Sequence, residues 1–98
     1  MSPETLAMLA ILSAGPMPMN GPTYTTDIRP VMAKHCFMCH NPRVMAWADW
    51  TKYDNAFKAR YKILSRVWTR RDMPPGGGAM TDKERKLIKQ WVDEGAKK

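Results

Sequence analysis

Three features of the sequence predict an all-α fold. Apolar residues recur at helical spacing in several stretches, threonine caps followed by acidic residues open two of them, and the chain offers little that reads as a strand. Ninety-eight residues make one domain, small enough that burial alone leaves it marginal and a staple is expected. Hydrophobic residues at 44% and charged residues at 26% are ordinary values that fit neither a disordered tail nor a membrane protein. The longest apolar run, Leu6 to Leu12, is far short of the roughly 20 residues of a bilayer span.

The first helix is expected to start at Ser2, with Pro3 at its first position and Glu4 near its positive end, and to stop at Gly15 after Leu12 or Ser13. Residues 15–23 hold three prolines and two glycines and read as an extended arm. Thr26 is expected to cap a second helix, with Asp27 in its first turn and Ile28, Val31, Met32 and His35 on one face. Asn41 to Asp49 lacks periodicity and reads as a loop. From about Thr51 the period returns, as one long helix or two meeting near Arg60, with a stripe of Phe57, Tyr61, Leu64 and Trp68 widened by Ala56, Ile63 and Val67. Met73-Pro74-Pro75-Gly76-Gly77-Gly78 cannot continue a helix. Thr81 and Glu84 form a capping box for a last helix that buries Leu87, Ile88, Trp91 and Val92 and ends at Gly95.

The chemistry is concentrated where the second helix ends. The chain's two cysteines, Cys36 and Cys39, are followed by His40, giving Cys36-Phe37-Met38-Cys39-His40. C-x-x-C-H is the attachment signature of c-type haem: two thiols reach the two vinyl groups of one porphyrin, and the next imidazole coordinates the iron. A thioredoxin-like pair would need a βαβ setting that the flanks do not offer. Zinc would need His35 as a fourth ligand, crowding the whole set into positions 35–40. A disulfide across so short a loop would be strained and would leave His40 without a role. The expected cofactor is one haem c, held by two thioethers, with short helices wrapped around it.

The second axial position decides between carrying electrons and binding a gas or substrate. His35 is tethered on the motif side of the ring, which disfavours bis-histidine ligation. Of nine methionines, Met73 is the leading candidate, because the prolines and glycines after it make a loop able to project a thioether toward a flat ring. Met80 is the runner-up. The reading of Met73 as a residue that fills space against the haem edge stays open. Met32, Met38 and Met45 read as core, and Met17 and Met19 lie on the arm. His40 is expected to donate its other ring N–H to a carbonyl of the following loop, near Pro42. Arg43, Trp47, Trp50 and Tyr53 could reach the propionates or pack around the porphyrin.

From Tyr24 to Ala96 the sequence resembles the small single-haem class I cytochromes c. The resemblance is carried by Asp27-Ile28-Arg29-Pro30 leading into Cys36, by Cys39-His40, by Met73-Pro74-Pro75, and by a last helix ending Trp91-Val92-Asp93-Glu94-Gly95-Ala96. It implies the class I cytochrome c fold, thioether links at Cys36 and Cys39, His40 as proximal and Met73 as distal ligand, and a helix before the motif that crosses the last one. The motif's early position sets the chain apart from the four-helix cytochromes c prime. Residues 1–23, a helix and proline-rich arm, are an addition to the haem domain of residues 24–98. That extra helix is expected to cover an apolar surface of the domain or to make a dimer contact.

The expected function is single-electron transfer, as a soluble shuttle or as the haem subunit of a respiratory or oxidative chain. The alternative is a haem protein with a labile or open distal site, acting as a ligand sensor or peroxidase-like enzyme, although the sequence offers no distal acid–base residue. The net charge is +7, and residues 52–71 carry seven basic side chains against Asp54 alone. That excess is expected to rim the haem side and to steer an acidic redox partner in a fast, weak, salt-sensitive encounter. Attachment of haem after export implies a periplasmic or otherwise extracytoplasmic protein, for which nucleic acid is not an expected partner. Residues 6–14 resemble the apolar core of an export signal but lack a basic flank. They are therefore read as part of the mature helix, a true signal having been removed.

Overall fold

The computed structural model describes residues 21–75 and 79–98, and among these the chain is helix and loop with no strand. The predicted helix from Ser2, most of the arm and the glycine triplet lie outside the described residues. No helix among the described residues is long and apolar enough to cross a membrane.

The second predicted helix begins three residues earlier than its sequence suggests. Thr23, not Thr26, is the cap: its hydroxyl accepts from the Thr26 amide at 3.2 Å, while the Asp27 carboxylate accepts from the Thr23 amide at 2.9 Å. Both threonines precede an acidic residue, and only the three-dimensional path selects between them. The first turn, Tyr24–Ile28, is wide, with the Arg29 amide donating to the Tyr24 carbonyl. It runs into α1, Arg29–His35, where Pro30 sits at the helix start and its missing N–H does little harm. A 3₁₀ turn, Ala46–Ala48, interrupts the loop after the motif.

The middle stretch is broken, as one of its two readings expected. Helix α2, Tyr53–Lys58, ends at Ala59 (φ −96°, ψ 10°), and α3, Arg60–Leu64, continues into a wide turn at Ser65–Thr69. The break re-aims the apolar stripe. Ala56, Ile63 and Val67 are buried, whereas Tyr61, expected on the inner face, is 66% exposed. The Arg60 guanidinium lies over both neighbouring rings, 3.9 Å from the Phe57 centroid and 4.6 Å from that of Tyr61, so Phe57 is covered by a cation where it does not pack against the core.

The last helix, α4, Asp82–Asp93, carries the full capping box, with Thr81 and Glu84 each accepting from the other's amide. Ile88, Trp91 and Val92 are buried and Leu87 is half-buried, as the period predicts. Gly95 at φ 103° ends it in the left-handed conformation that glycine adopts without strain. Among the described residues, the first and last helical segments pack together. The Tyr24 and Trp91 rings lie 6.1 Å apart, Trp91 Nε1 donates to the Lys97 carbonyl at 2.8 Å, and the amides of Tyr24 and Thr25 donate to the carbonyls of Lys97 and Lys98.

A polar clasp fastens the same pair at the other end. Glu84 on α4 receives Lys34 Nζ at 2.9 Å and faces His35 Nε2 at 3.0 Å, both from the last turn of α1. The Thr81 amide above all, with Lys34 and His35 beside it, outweighs partial burial and holds the Glu84 carboxyl at about 2, below its ordinary 4.5. A depressed carboxylate contributes stability above its unfolded value, and that contribution is lost as pH falls through the folded one. Glu84→Gln should therefore lower the urea midpoint at pH 7, by about 1–2 kcal/mol in stability. The difference from wild type should fade between roughly pH 5 and pH 2. Parallel urea titrations at several pH values check this, and an undiminished difference at pH 2 would contradict it.

Candidate functional site

A cleft of about 730 Å³ opens between the motif loop and the α2–α3 face, within the size range of small-molecule and cofactor sites. His35, Cys36, Cys39 and His40 line one part of it, and Met73, Pro74 and Pro75 line another. The rest is largely apolar, with Met45, Trp47, Ala48, Trp50, Ala59, Ile63 and Val67. The four residues singled out in the sequence as haem-binding, Cys36, Cys39, His40 and Met73, thus border one cleft. Met80 lies in the core at 5% exposure, packed away from it.

The motif loop is shaped by its own hydrogen bonds. The Cys39 and His40 amides donate to the Cys36 carbonyl, closing a tight turn that brings the two thiols and the imidazole together. Asn41 stitches this turn from both sides. Its Nδ2 donates to the Phe37 and Met38 carbonyls at 2.7 and 3.1 Å, and its Oδ1 accepts from the Arg43 and Val44 amides at 2.9 and 3.0 Å. The Asn41-Pro42 pair was legible only as part of a loop, though asparagine before proline favours such a side-chain-bonded turn. The two cysteines form no disulfide, Cys36 being half-buried and Cys39 exposed. Burial, and then the neighbouring Cys39, push the Cys36 thiol up to about 11.

His40 is held on two sides. Its Nδ1 donates to the Ala48 carbonyl at 2.9 Å, so the acceptor belongs to the following loop as expected but is Ala48, not a carbonyl near Pro42. The ring stacks on Trp50 with centroids 5.0 Å apart and planes 18° from parallel. Trp50 is itself fixed, its amide donating to the His40 carbonyl and its carbonyl accepting from the Tyr24 hydroxyl. Nε2 is left as the imidazole nitrogen available to a metal, the arrangement typical of a ligating histidine whose other nitrogen is anchored. Just beyond, Asp49 is buried and accepts from the amide and hydroxyl of Thr51, a local turn that sets the end of the loop.

The four residues expected near the propionates divide. Trp47 and Trp50 line the cleft, with Trp47 82% exposed. Arg43 borders a separate small hollow with Asn41, Pro42 and Val44, and the Tyr53 hydroxyl donates to the Ala96 carbonyl at 2.7 Å. Lys58, Lys62 and Arg66 line the cleft in their place, spaced four residues apart beside the apolar row of Ala59, Ile63 and Val67. The basic excess is also partly compensated. Arg66 and Arg70 both pair with Asp72, and Arg71 pairs with Asp82, acidic residues just outside the counted stretch.

The donor set fits a covalently held haem on these observations: two thiols and an anchored imidazole in one tight turn, a methionine lining the same cleft, an apolar wall, and a cationic row able to face carboxylates. No family model, curated protein or solved structure matches this chain.

Proposed function

We propose that this protein is a single-electron carrier of the class I cytochrome c type, with one haem c joined through Cys36 and Cys39 and ligated by His40 and Met73. One observation carries the reading: the C-x-x-C-H turn and Met73 border the same cleft, with His40 Nδ1 anchored to Ala48. Bound haem iron supplies one-electron chemistry between its ferric and ferrous states, and a methionine ligand raises its potential relative to a second histidine.

The chain's own residues contribute orientation and insulation. The Ala48 carbonyl and the Trp50 ring keep the His40 imidazole from rotating, so little of the ligand shell has to reorganise when charge changes. Ala59, Ile63 and Val67 supply an apolar wall that excludes water from one side of the cleft. Lys58 and Lys62, which make no ion pair among the described residues, keep positive charge at the cleft's edge. That charge supports an encounter with an acidic redox protein, and the covalent attachment chemistry supports an extracytoplasmic location.

The test is the near-infrared absorption of the ferric holoprotein, wild type beside Met73→Ala. Wild type should show the sulfur-to-iron charge-transfer band and the variant should lack it. The variant's ferrous form should also bind carbon monoxide readily, whereas wild type resists it. A wild type without the band, or one that binds carbon monoxide freely, would replace the carrier by a ligand sensor or a peroxidase-like enzyme. A band retained in Met73→Ala would move the sulfur ligand to another methionine.

A further inference from the structure

Arg85 is a charged residue on the inner face of α4, only 4% exposed, among otherwise apolar neighbours. A cation so placed is costly unless strong hydrogen bonds compensate it. Its Nη1 donates to two main-chain carbonyls, that of Val67 at 2.7 Å and that of Met73 at 3.0 Å. The first belongs to the wide turn Ser65–Thr69, where the helix runs out and carbonyls lose their partners within it. The second belongs to Met73, which lines the cleft.

The chain between these two carbonyls is tightly folded. Arg71 adopts φ 55°, in the left-handed region, and Asp72 is bound by Arg66 Nε at 2.7 Å and by Arg70 Nη2 at 3.3 Å. The Met73 amide donates back to the Arg66 carbonyl at 3.3 Å. Met73 is thus tied to the helix through its own N–H and to α4 through its own C=O. The second tie crosses between elements, beside the exposed Arg71–Asp82 ion pair, and is the one that holds Met73 itself to α4.

Resting on the carrier reading above, we infer that Arg85 is a positioning residue for the Met73 thioether. By clamping the Met73 and Val67 carbonyls to α4, it opposes the loop movement needed for the sulfur to leave the iron, and so sets how readily an outside ligand takes that place. A methionine side chain at position 85 would keep most of the apolar stem and remove the donors, leaving two carbonyls without this partner. A lysine would keep the charge and reach fewer acceptors.

The experiment titrates imidazole into the ferric holoproteins of wild type, Arg85→Met, Arg85→Lys and Ile88→Ala, following the charge-transfer band, with urea midpoints measured alongside. Ile88→Ala weakens the same helix from a fully buried position that is not part of the clamp or the cleft wall. In Arg85→Met the affinity for imidazole should rise on the order of 10- to 100-fold, the effect of losing a charge-assisted hydrogen bond. In Arg85→Lys the rise should be smaller, and in Ile88→Ala the urea midpoint should fall with imidazole affinity unchanged. If Arg85→Met yields no folded protein, the Arg85→Lys titration decides alone, and unchanged affinity there defeats the inference. Wild-type affinity in Arg85→Met, or an equal rise in Ile88→Ala, would reduce Arg85 to general stability. A wild type that lacks the band defeats the carrier reading itself, whereas a normal wild-type band with an indifferent Arg85→Met defeats only the role of Arg85.

Discussion

Haem should separate from a Cys36→Ser/Cys39→Ser double variant in acidified organic solvent, while the wild-type polypeptide keeps its colour through the same treatment. A thioether is a carbon–sulfur bond and survives unfolding. A coordinate bond from His40 would not, because unfolding removes the Ala48 and Trp50 contacts that hold the imidazole in place. The effect is all or none, which makes it the sharpest test of the motif. Each single variant should retain one link and its colour. The two positions should differ in stability, because Cys36 packs against the core and Cys39 is exposed. Cys36→Ser places a hydroxyl in that packing and should lower the urea midpoint more than Cys39→Ser does. Wild-type protein that released all its haem would contradict covalent attachment.

Trp91→Ala should cost about 3–5 kcal/mol, a large part of the 5–15 kcal/mol that holds a typical domain of this kind together. Trp91 is fully buried, its ring meets Tyr24, and its Nε1 bonds the Lys97 carbonyl at 2.8 Å. It therefore joins three things in one side chain: the last helix, the turn that leads to the motif helix, and the C-terminal segment. Trp91→Phe keeps most of the packing and loses the hydrogen bond, so it should cost less, about 1 kcal/mol plus the lost ring area. Urea midpoints of the two variants separate these contributions. If they fell equally, the hydrogen bond rather than the packing would dominate. Because Tyr24 also donates to the Trp50 carbonyl, and Trp50 stacks on His40, the alanine variant should loosen the candidate ligand as well.

Much of the last helix was legible in the sequence, and for a local reason. A capping box needs only residues three positions apart, and an amphipathic face needs only the 3.6-residue period. Thr81, Glu84, Ile88, Trp91, Val92 and Gly95 all serve as their spacing predicts. The middle stretch was less legible. Tyr61 satisfies the helical period as well as Ile63 does, and the break at Ala59 decided which of them faces inward. Thr23 and Thr26 are equivalent as caps by type, and the extended backbone at Thr23 settled the choice. The sequence expects the whole basic stretch of residues 52–71 on the haem side, and nothing local separates Lys58, Lys62 and Arg66, which line the cleft, from Lys52, Arg60, Arg70 and Arg71, which do not.

By itself the sequence determined the helical class, the end of α4, and the cluster of Cys36, Cys39 and His40, because each depends on neighbours within a few residues. Only the tertiary structure decided that Met73 rather than Met80 borders the cleft, that Ala48 accepts from His40, and that Arg85 grips the Met73 carbonyl. The two hydrogen bonds join residues 8 and 12 positions apart, and the cleft is shared by residues up to 37 apart, from Met73 to the motif. Their partners are backbone carbonyls or chemically equal methionines, which carry no mark of type in a sequence. What distinguishes them is where the packed helices bring them.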